Sequence, residues 1–134
     1  MDHNNDASAA MMYIAEDCLV VPLEAELRDA MLVRTGEAIP VKVQETRVKG
    51  VIIDFSAVSV IDSYAASLVD RMVRVVSLLG TTTVISGIQP AAAASLVDLG
   101  LYFDGITKVA SLDEALRILR PPAGNEGENS SGTR

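Results

Sequence analysis

The sequence predicts an α/β domain built on a small mixed β-sheet of about five strands with crossover helices, opened by a short β-hairpin. Three observations predict it. Two short apolar runs at residues 11–15 and 18–22 are separated by Glu16-Asp17, a pair suited to a turn between antiparallel strands. Val51-Ile52-Ile53-Asp54-Phe55 is a nearly continuous β-branched and apolar run, the pattern of a strand buried on both faces in the middle of a sheet. From that run onward, helical periodicity alternates with β-branched segments.

The elements follow in order. Residues 24–48 are mostly helix formers interrupted by Gly36 and Pro40. An interior proline costs about 3 kcal/mol and removes a backbone hydrogen bond to the preceding turn, so the helix is expected to kink or break there. Residues 63–79 form a helix in which Ala66, Leu68, Val69, Met72, Val73, Val76 and Leu79 make a broad apolar face, ended by Gly80. On its other face Ser67, Asp70, Arg71, Arg74 and Ser77 recur at spacings of three and four, a narrow polar stripe in which Asp70 and Arg74 can pair. Residues 82–86 are the next strand. Gln89-Pro90 opens a short helix with proline at its first position, and Gly100 closes it. Residues 106–110 are a weak last strand. Ser111-Leu112-Asp113-Glu114 reads as a capping box in which Ser111 and Glu114 satisfy each other's amides, and Pro121-Pro122 stops the helix it opens.

Composition bounds the function. The 134 residues suit one domain over residues 11–120, flanked by polar, small-residue segments at 1–10 and 121–134 that are expected to be mobile tails. The net charge is −7 and no basic block is present, which argues against nucleic acid and anionic membrane as partners. No apolar run is long enough to span a bilayer, and Asp2 and Asp6 stand where a secretory leader would be basic, so a soluble cytoplasmic protein is expected. The only cysteine, Cys18, lies in an apolar run and reads as a buried thiol. The only histidine, His3, lies in the N-terminal tail, so neither a histidine-dependent relay nor a histidine metal site has a rigid support. Phosphate-cradling glycine loops and Cys-x-x-Cys pairs are absent as well. No enzymatic activity, cofactor or metal is expected.

Two places can carry chemistry. Asp54 ends a strand, Ser86 ends the next, Lys108 lies in the last, and Glu16-Asp17 follows the first, a set that a phosphoryl-accepting receiver domain would use with Mg²⁺. The order is wrong for that architecture, because the acidic pair runs straight into a strand-like segment instead of a helix. Asp54 then reads as a strand-end residue capping the next loop. The second place is Ile61-Asp62-Ser63-Tyr64, an acid and a hydroxyl at the mouth of the helix after the central strand. Its plain reading is an N-cap, worth about 1 kcal/mol. Its functional reading is a phosphoacceptor, because a phosphoryl group on Ser63 adds about −1.5 to −2 charges at a protruding loop.

The run Val51-Ile52-Ile53-Asp54-Phe55-Ser56-Ala57-Val58-Ser59-Val60-Ile61-Asp62-Ser63, then Leu79-Gly80, Val84-Ile85-Ser86-Gly87-Ile88-Gln89-Pro90-Ala91 and Leu96-Val97-Asp98-Leu99-Gly100, resembles the STAS family. The resemblance covers residues 18–119 and extends to the stressosome scaffold branch, the RsbS type of anti-sigma factor antagonist. Tyr64-Ala65-Ala66 stands where simpler antagonists carry Ser-Gly, which favours that branch. The resemblance implies a STAS fold without catalysis and phosphorylation of Ser63 by an RsbT-type serine kinase. It also implies assembly with RsbR-type STAS proteins into a large particle that sequesters the kinase until stress. Ser95 falls where RsbR-type members carry a second phosphorylatable residue. Ser59, Asp62, Ser67, Asp70, Arg71 and Arg74 are the expected partner-binding face. The alternatives are a stand-alone antagonist that binds one kinase-like anti-sigma factor, and a receiver phosphorylated on Asp54.

Overall fold

A computed structural model describes residues 11–121. The expected tails, 1–10 with His3 and 121–134 apart from Pro121, lie outside the described residues. The chain runs β1 (Tyr13–Ala15), β2 (Cys18–Pro22), α1 (Asp29–Thr46), β3 (Gly50–Asp54), α2 (Ser63–Ser77), β4 (Thr82–Ser86), α3 (Pro90–Asp98), β5 (Thr107–Val109) and α4 (Leu112–Leu119). The five strands form one sheet in the order β1-β2-β3-β4-β5. The opening pair is antiparallel, with Tyr13 opposite Val20 and Ala15 opposite Cys18. The other three pairings are parallel. Glu16 and Asp17 both take left-handed backbone conformations, at φ 50° and 68°, as a two-residue hairpin turn requires.

The pleat divides the core between the two faces of the sheet. Leu19, Val21, Val51, Ile53 and Ile85 point to the face covered by α1 and α2, where they join Leu32, Ile39, Val69, Met72 and Val73 in the larger cluster. Cys18, Val20, Ile52 and Val84 point to the other face, against Ala115, Leu112, Leu116 and Leu119 of α4. Gly50, at the start of β3, lets α4 close on the sheet: a Cβ there would come within 2.9 Å of a Leu119 methyl. β3 is the central strand, and Val51, Ile52 and Ile53 have no exposed surface.

Three local expectations are corrected. Of the kink or break expected in the first helix, the break does not occur: α1 is continuous through Gly36 and Pro40. Met31, Leu32 and Ile39 are all buried, and at about 1.5–3 kcal/mol per buried side chain they outweigh a proline cost of about 3 kcal/mol. The same helix starts at Asp29 instead of residue 24, because the Leu23 amide donates to the Asp54 carbonyl at 2.9 Å and prolongs the β2–β3 ladder into the connection. At α4 the capping box is not reciprocal. Ser111 Oγ accepts from the Glu114 amide at 3.2 Å, but the Glu114 carboxylate accepts from the Ala110 amide at 3.1 Å, one residue further out.

Candidate functional site

The connection from β3 to α2 is held from inside by its apolar residues. Phe55, Val58 and Ile61 recur every third residue and are buried, while Ser56, Ala57, Ser59 and Val60 face solvent. The Phe55 amide extends the sheet to the Ser86 carbonyl at 2.8 Å, and the Val58 amide turns back to the Phe55 carbonyl at 2.8 Å. Beneath the loop, Asp54 Oδ1 accepts from the hydroxyl of Ser56 at 2.7 Å and from that of Ser86 at 2.8 Å. Gln89 Nε2 donates to the Ser56 carbonyl at 2.5 Å. Asp54 is thus the loop-capping residue at the strand end.

Asp62 is the N-cap of α2. Its extended backbone brings Oδ1 to the Ala65 amide at 2.8 Å. Ser63 is the first residue of the helix, exposed, and its hydroxyl makes no hydrogen bond among the described residues. At 3.6 residues per turn Ser63, Ser67, Asp70 and Arg74 lie within about 60° of arc, with Arg71 at the margin. This stripe faces away from the buried Ala65, Ala66, Val69, Met72, Val73 and Val76. Arg74 Nε donates to Asp70 Oδ2 at 2.8 Å, and Ser67 Oγ to the Tyr64 carbonyl at 2.7 Å. Arg71 borders a groove between α1 and α2 with Val33, Glu37, Leu68 and Val75. The structure therefore collects Ser63, Ser67, Asp70, Arg71 and Arg74 on one face of α2, with Ser59 and Asp62 on the loop leading into it.

The receiver arrangement is not formed. Glu16 and Asp17 turn the hairpin at the start of β2, whereas the register pairs Asp54 with Pro22 at its end. Five residue steps along β2, about 16 Å, separate Asp17 from the level of Asp54. Lys108 sits exposed on β5 opposite Ile85, and the Ser86 hydroxyl is committed to Asp54. Ser95 stands apart on α3, half-buried, and its hydroxyl makes no hydrogen bond among the described residues. Cys18 is buried, and burial, helped by the charges of Asp17 and Glu16, raises its pKa and keeps the thiol protonated.

Two apolar residues beside Ser63 were not singled out in the sequence and emerge from the fold. Val60, three residues before Ser63, is 74% exposed, and Tyr64, just after it, is 57% exposed. Their apolar character argued for burial, and only the every-third spacing of Phe55, Val58 and Ile61 could have shown that residue 60 is turned outward.

The model of the STAS domain matches residues 9–115. The chain belongs to the STAS domain family. Among curated proteins this STAS domain is 32% identical over 113 residues to the RsbT co-antagonist protein RsbRD of Bacillus subtilis, a match covering 84% of this chain and 40% of RsbRD. The uncharacterized protein YezB of the same organism is 31% identical over 80 residues, which is 60% of this chain and 82% of YezB. The chain thus spans well under half the length of RsbRD and a quarter of the related co-antagonist RsbRB. Among solved structures, one reported under the molecular architecture of the stressosome superposes with a TM-score of 0.73 at 30% identity, covering 81% of this chain and 95% of the other. A serine-to-glutamate variant of Moorella thermoacetica RsbS gives the same TM-score and coverage at 29% identity. The mixed five-stranded sheet with its crossover helices is the STAS fold, and no helix among the described residues is long and apolar enough to cross a membrane.

Proposed function

We propose that this STAS domain is a non-catalytic scaffold of a cytoplasmic stressosome-type particle. It holds an RsbT-type serine kinase together with RsbR-type STAS proteins and releases the kinase when Ser63 is phosphorylated. The observation that carries the reading is Ser63 itself: an exposed, uncommitted hydroxyl at the first position of α2, at the head of the polar stripe. Helix N-terminal amides favour a dianion there, so a phosphoryl group is tolerated by the fold while turning a surface on which Asp62 and Asp70 balance Arg71 and Arg74 into a negative one. Curated relatives are named as RsbT co-antagonists, and the RsbS structure superposes over most of the chain, which supports the choice of partner class. Ser59, Asp62, Ser67, Asp70, Arg71 and Arg74 form the docking face, with Val60 and Tyr64 as its apolar part. Ser95, a half-buried residue of α3, is the second candidate acceptor.

The test is affinity capture of the tagged chain from its own cells, sized by native chromatography and read by mass spectrometry, with Ser63→Ala and Ser63→Asp alongside. A particle containing other STAS proteins and a small kinase is expected. The Ser63→Ala chain retains the kinase through a stress signal, and the Ser63→Asp chain loses it. Equal retention by the two variants overturns the phosphorylation-gated mechanism. A small complex with a single kinase-like anti-sigma factor assigns the chain to the stand-alone antagonists instead.

A further inference from the structure

We infer that Asp54 is a positioning residue for the modification of Ser63, acting through the loop that presents it. This inference rests on the reading of Ser63 as the phosphoacceptor. One oxygen of Asp54 ties the root of the loop to β4. Oδ1 accepts from Ser86 Oγ on β4, whose residue has no exposed surface, and from both the hydroxyl and the amide of Ser56, the latter at 3.4 Å. Gln89, from the segment entering α3, grips the Ser56 carbonyl from the other side. Gly87 closes the arrangement at φ +73°: a Cβ there would lie 2.3 Å from Ser56 Oγ and 3.1 Å from Asp54 Oδ1.

The sheet does not need this carboxylate. β3 and β4 are already joined in register, and the Phe55 amide continues the ladder to Ser86 without any side chain. The loop does need it. Between the Val58 amide and the Asp62 cap, no backbone hydrogen bond is made by Ser59, Val60 or Ile61 among the described residues. The path to Ser63 is therefore set by the fixed point at Ser56 and by the buried Val58 and Ile61. In phosphoryl transfer the acceptor oxygen must come within about 3–3.5 Å of phosphorus and in line, and a displacement of about 1 Å can cost about 10²-fold in rate. A substrate hydroxyl at a helix start meets that requirement when the loop leading into it is fixed at its root, and loses it when that root is released.

The experiment measures Ser63 phosphorylation by the purified RsbT-type kinase of the same organism, with Mg-ATP, well below the unfolding temperature. Asp54→Ala is expected to lower kcat by about tenfold or more, with KM little changed. Asp54→Asn, which keeps an acceptor oxygen at Oδ1, restores most of the rate. Ser56→Ala sits on an exposed residue, leaves the core untouched and is expected to cost roughly threefold, the worth of one hydrogen bond. Hydrogen exchange read in parallel should quicken at the hydrogen-bonded amides of the loop root, residues 56 and 58, and stay unchanged in β3 and β4 for Ser56→Ala. Wild-type rates in both Asp54→Ala and Ser56→Ala overturn the inference and leave Ser63 as the acceptor. If Asp54→Ala does not fold, an unchanged rate and exchange pattern in Ser56→Ala overturns it. A wild-type chain that is not phosphorylated on Ser63 overturns the underlying reading, and this inference with it.

Discussion

Removing the cap of α2 tests the geometry of the candidate site without any partner. Asp62 Oδ1 meets the Ala65 amide at 2.8 Å, so Asp62→Ala leaves that donor without its partner in the first turn. The loss is about 1 kcal/mol for the cap, and the acid's interaction with the helix dipole contributes a further 0.3–1 kcal/mol or so. The cost reaches the core, because Ala65 and Ala66 in that turn are 1% and 0% exposed and a frayed turn uncovers them. For a domain of about 110 residues, 1 kcal/mol corresponds to roughly 4 °C in Tm, so Asp62→Ala should melt about 4–8 °C below wild type. Asp62→Asn keeps the accepting oxygen and loses only the charge, so its Tm should fall by less than half as much. Thermal unfolding followed by far-UV circular dichroism, with urea titration for the free energy, reads both. An Asp62→Ala chain melting within about 1 °C of wild type, or an Asn variant as unstable as the Ala one, refutes the cap as drawn.

Two further predictions probe the scaffold. Gly36 lies inside α1 with nothing within 4 Å of where a Cβ would stand, so Gly36→Ala should stabilise the chain by about 0.5–1 kcal/mol in urea titration; a loss of stability would show that passage through Pro40 draws on the freedom of a glycine there. The buried Cys18 thiol has a raised pKa in the fold, so as pH rises past the ordinary thiol value of about 8.5 the unfolded chain ionises first and stability falls. Cys18→Ala should therefore show a shallower loss of stability between about pH 7 and pH 10 than wild type, and parallel curves would contradict this origin.

Much of the fold was legible because local and tertiary signals agree. The β-branched run at β3, the hairpin acids, Pro90 at a helix start and the three-and-four stripe of α2 each state the same structure their surroundings impose. The failure at α1 has the opposite cause. Gly36 and Pro40 are strong local signals for a break, and burial of Met31, Leu32 and Ile39 overrides them, which no window of sequence around residue 40 reveals. The candidate site divides in the same way. Asp62 and Ser63 were readable because an N-cap is a local motif. The junction of Asp54, Ser56, Ser86 and Gln89 was not, since two of its contacts join residues 32 and 33 positions apart. Val60 was legible only through the every-third spacing of Phe55, Val58 and Ile61, and Tyr64 was missed because exposure of an apolar residue is decided by neighbours distant in sequence.

The position of Ser63 determines where a phosphoryl group could act. Within the domain its effects nearly cancel. The N-terminal amides of α2 stabilise the added charge by about 0.3–1 kcal/mol, and the neighbouring Asp62, exposed to water, repels it by an amount on the order of 1 kcal/mol. A fold carrying a phosphoryl group on Ser63 is therefore expected to keep its stability within about 1 kcal/mol. At a contact the balance differs, because a partner carboxylate about 4 Å from the phosphate in a surface environment contributes roughly 4 kcal/mol of repulsion per unit charge, close to a thousandfold in affinity. A modification that barely alters one protein can thus empty an interface between two, which fits a surface built from a short rigid loop and one helix face better than a device that refolds. The sign belongs to the partner: an acidic surface is expelled, whereas one lined with arginines would be drawn in. Kinase loss from the Ser63→Asp chain means the first, and tighter retention by Ser63→Asp than by Ser63→Ala means the second.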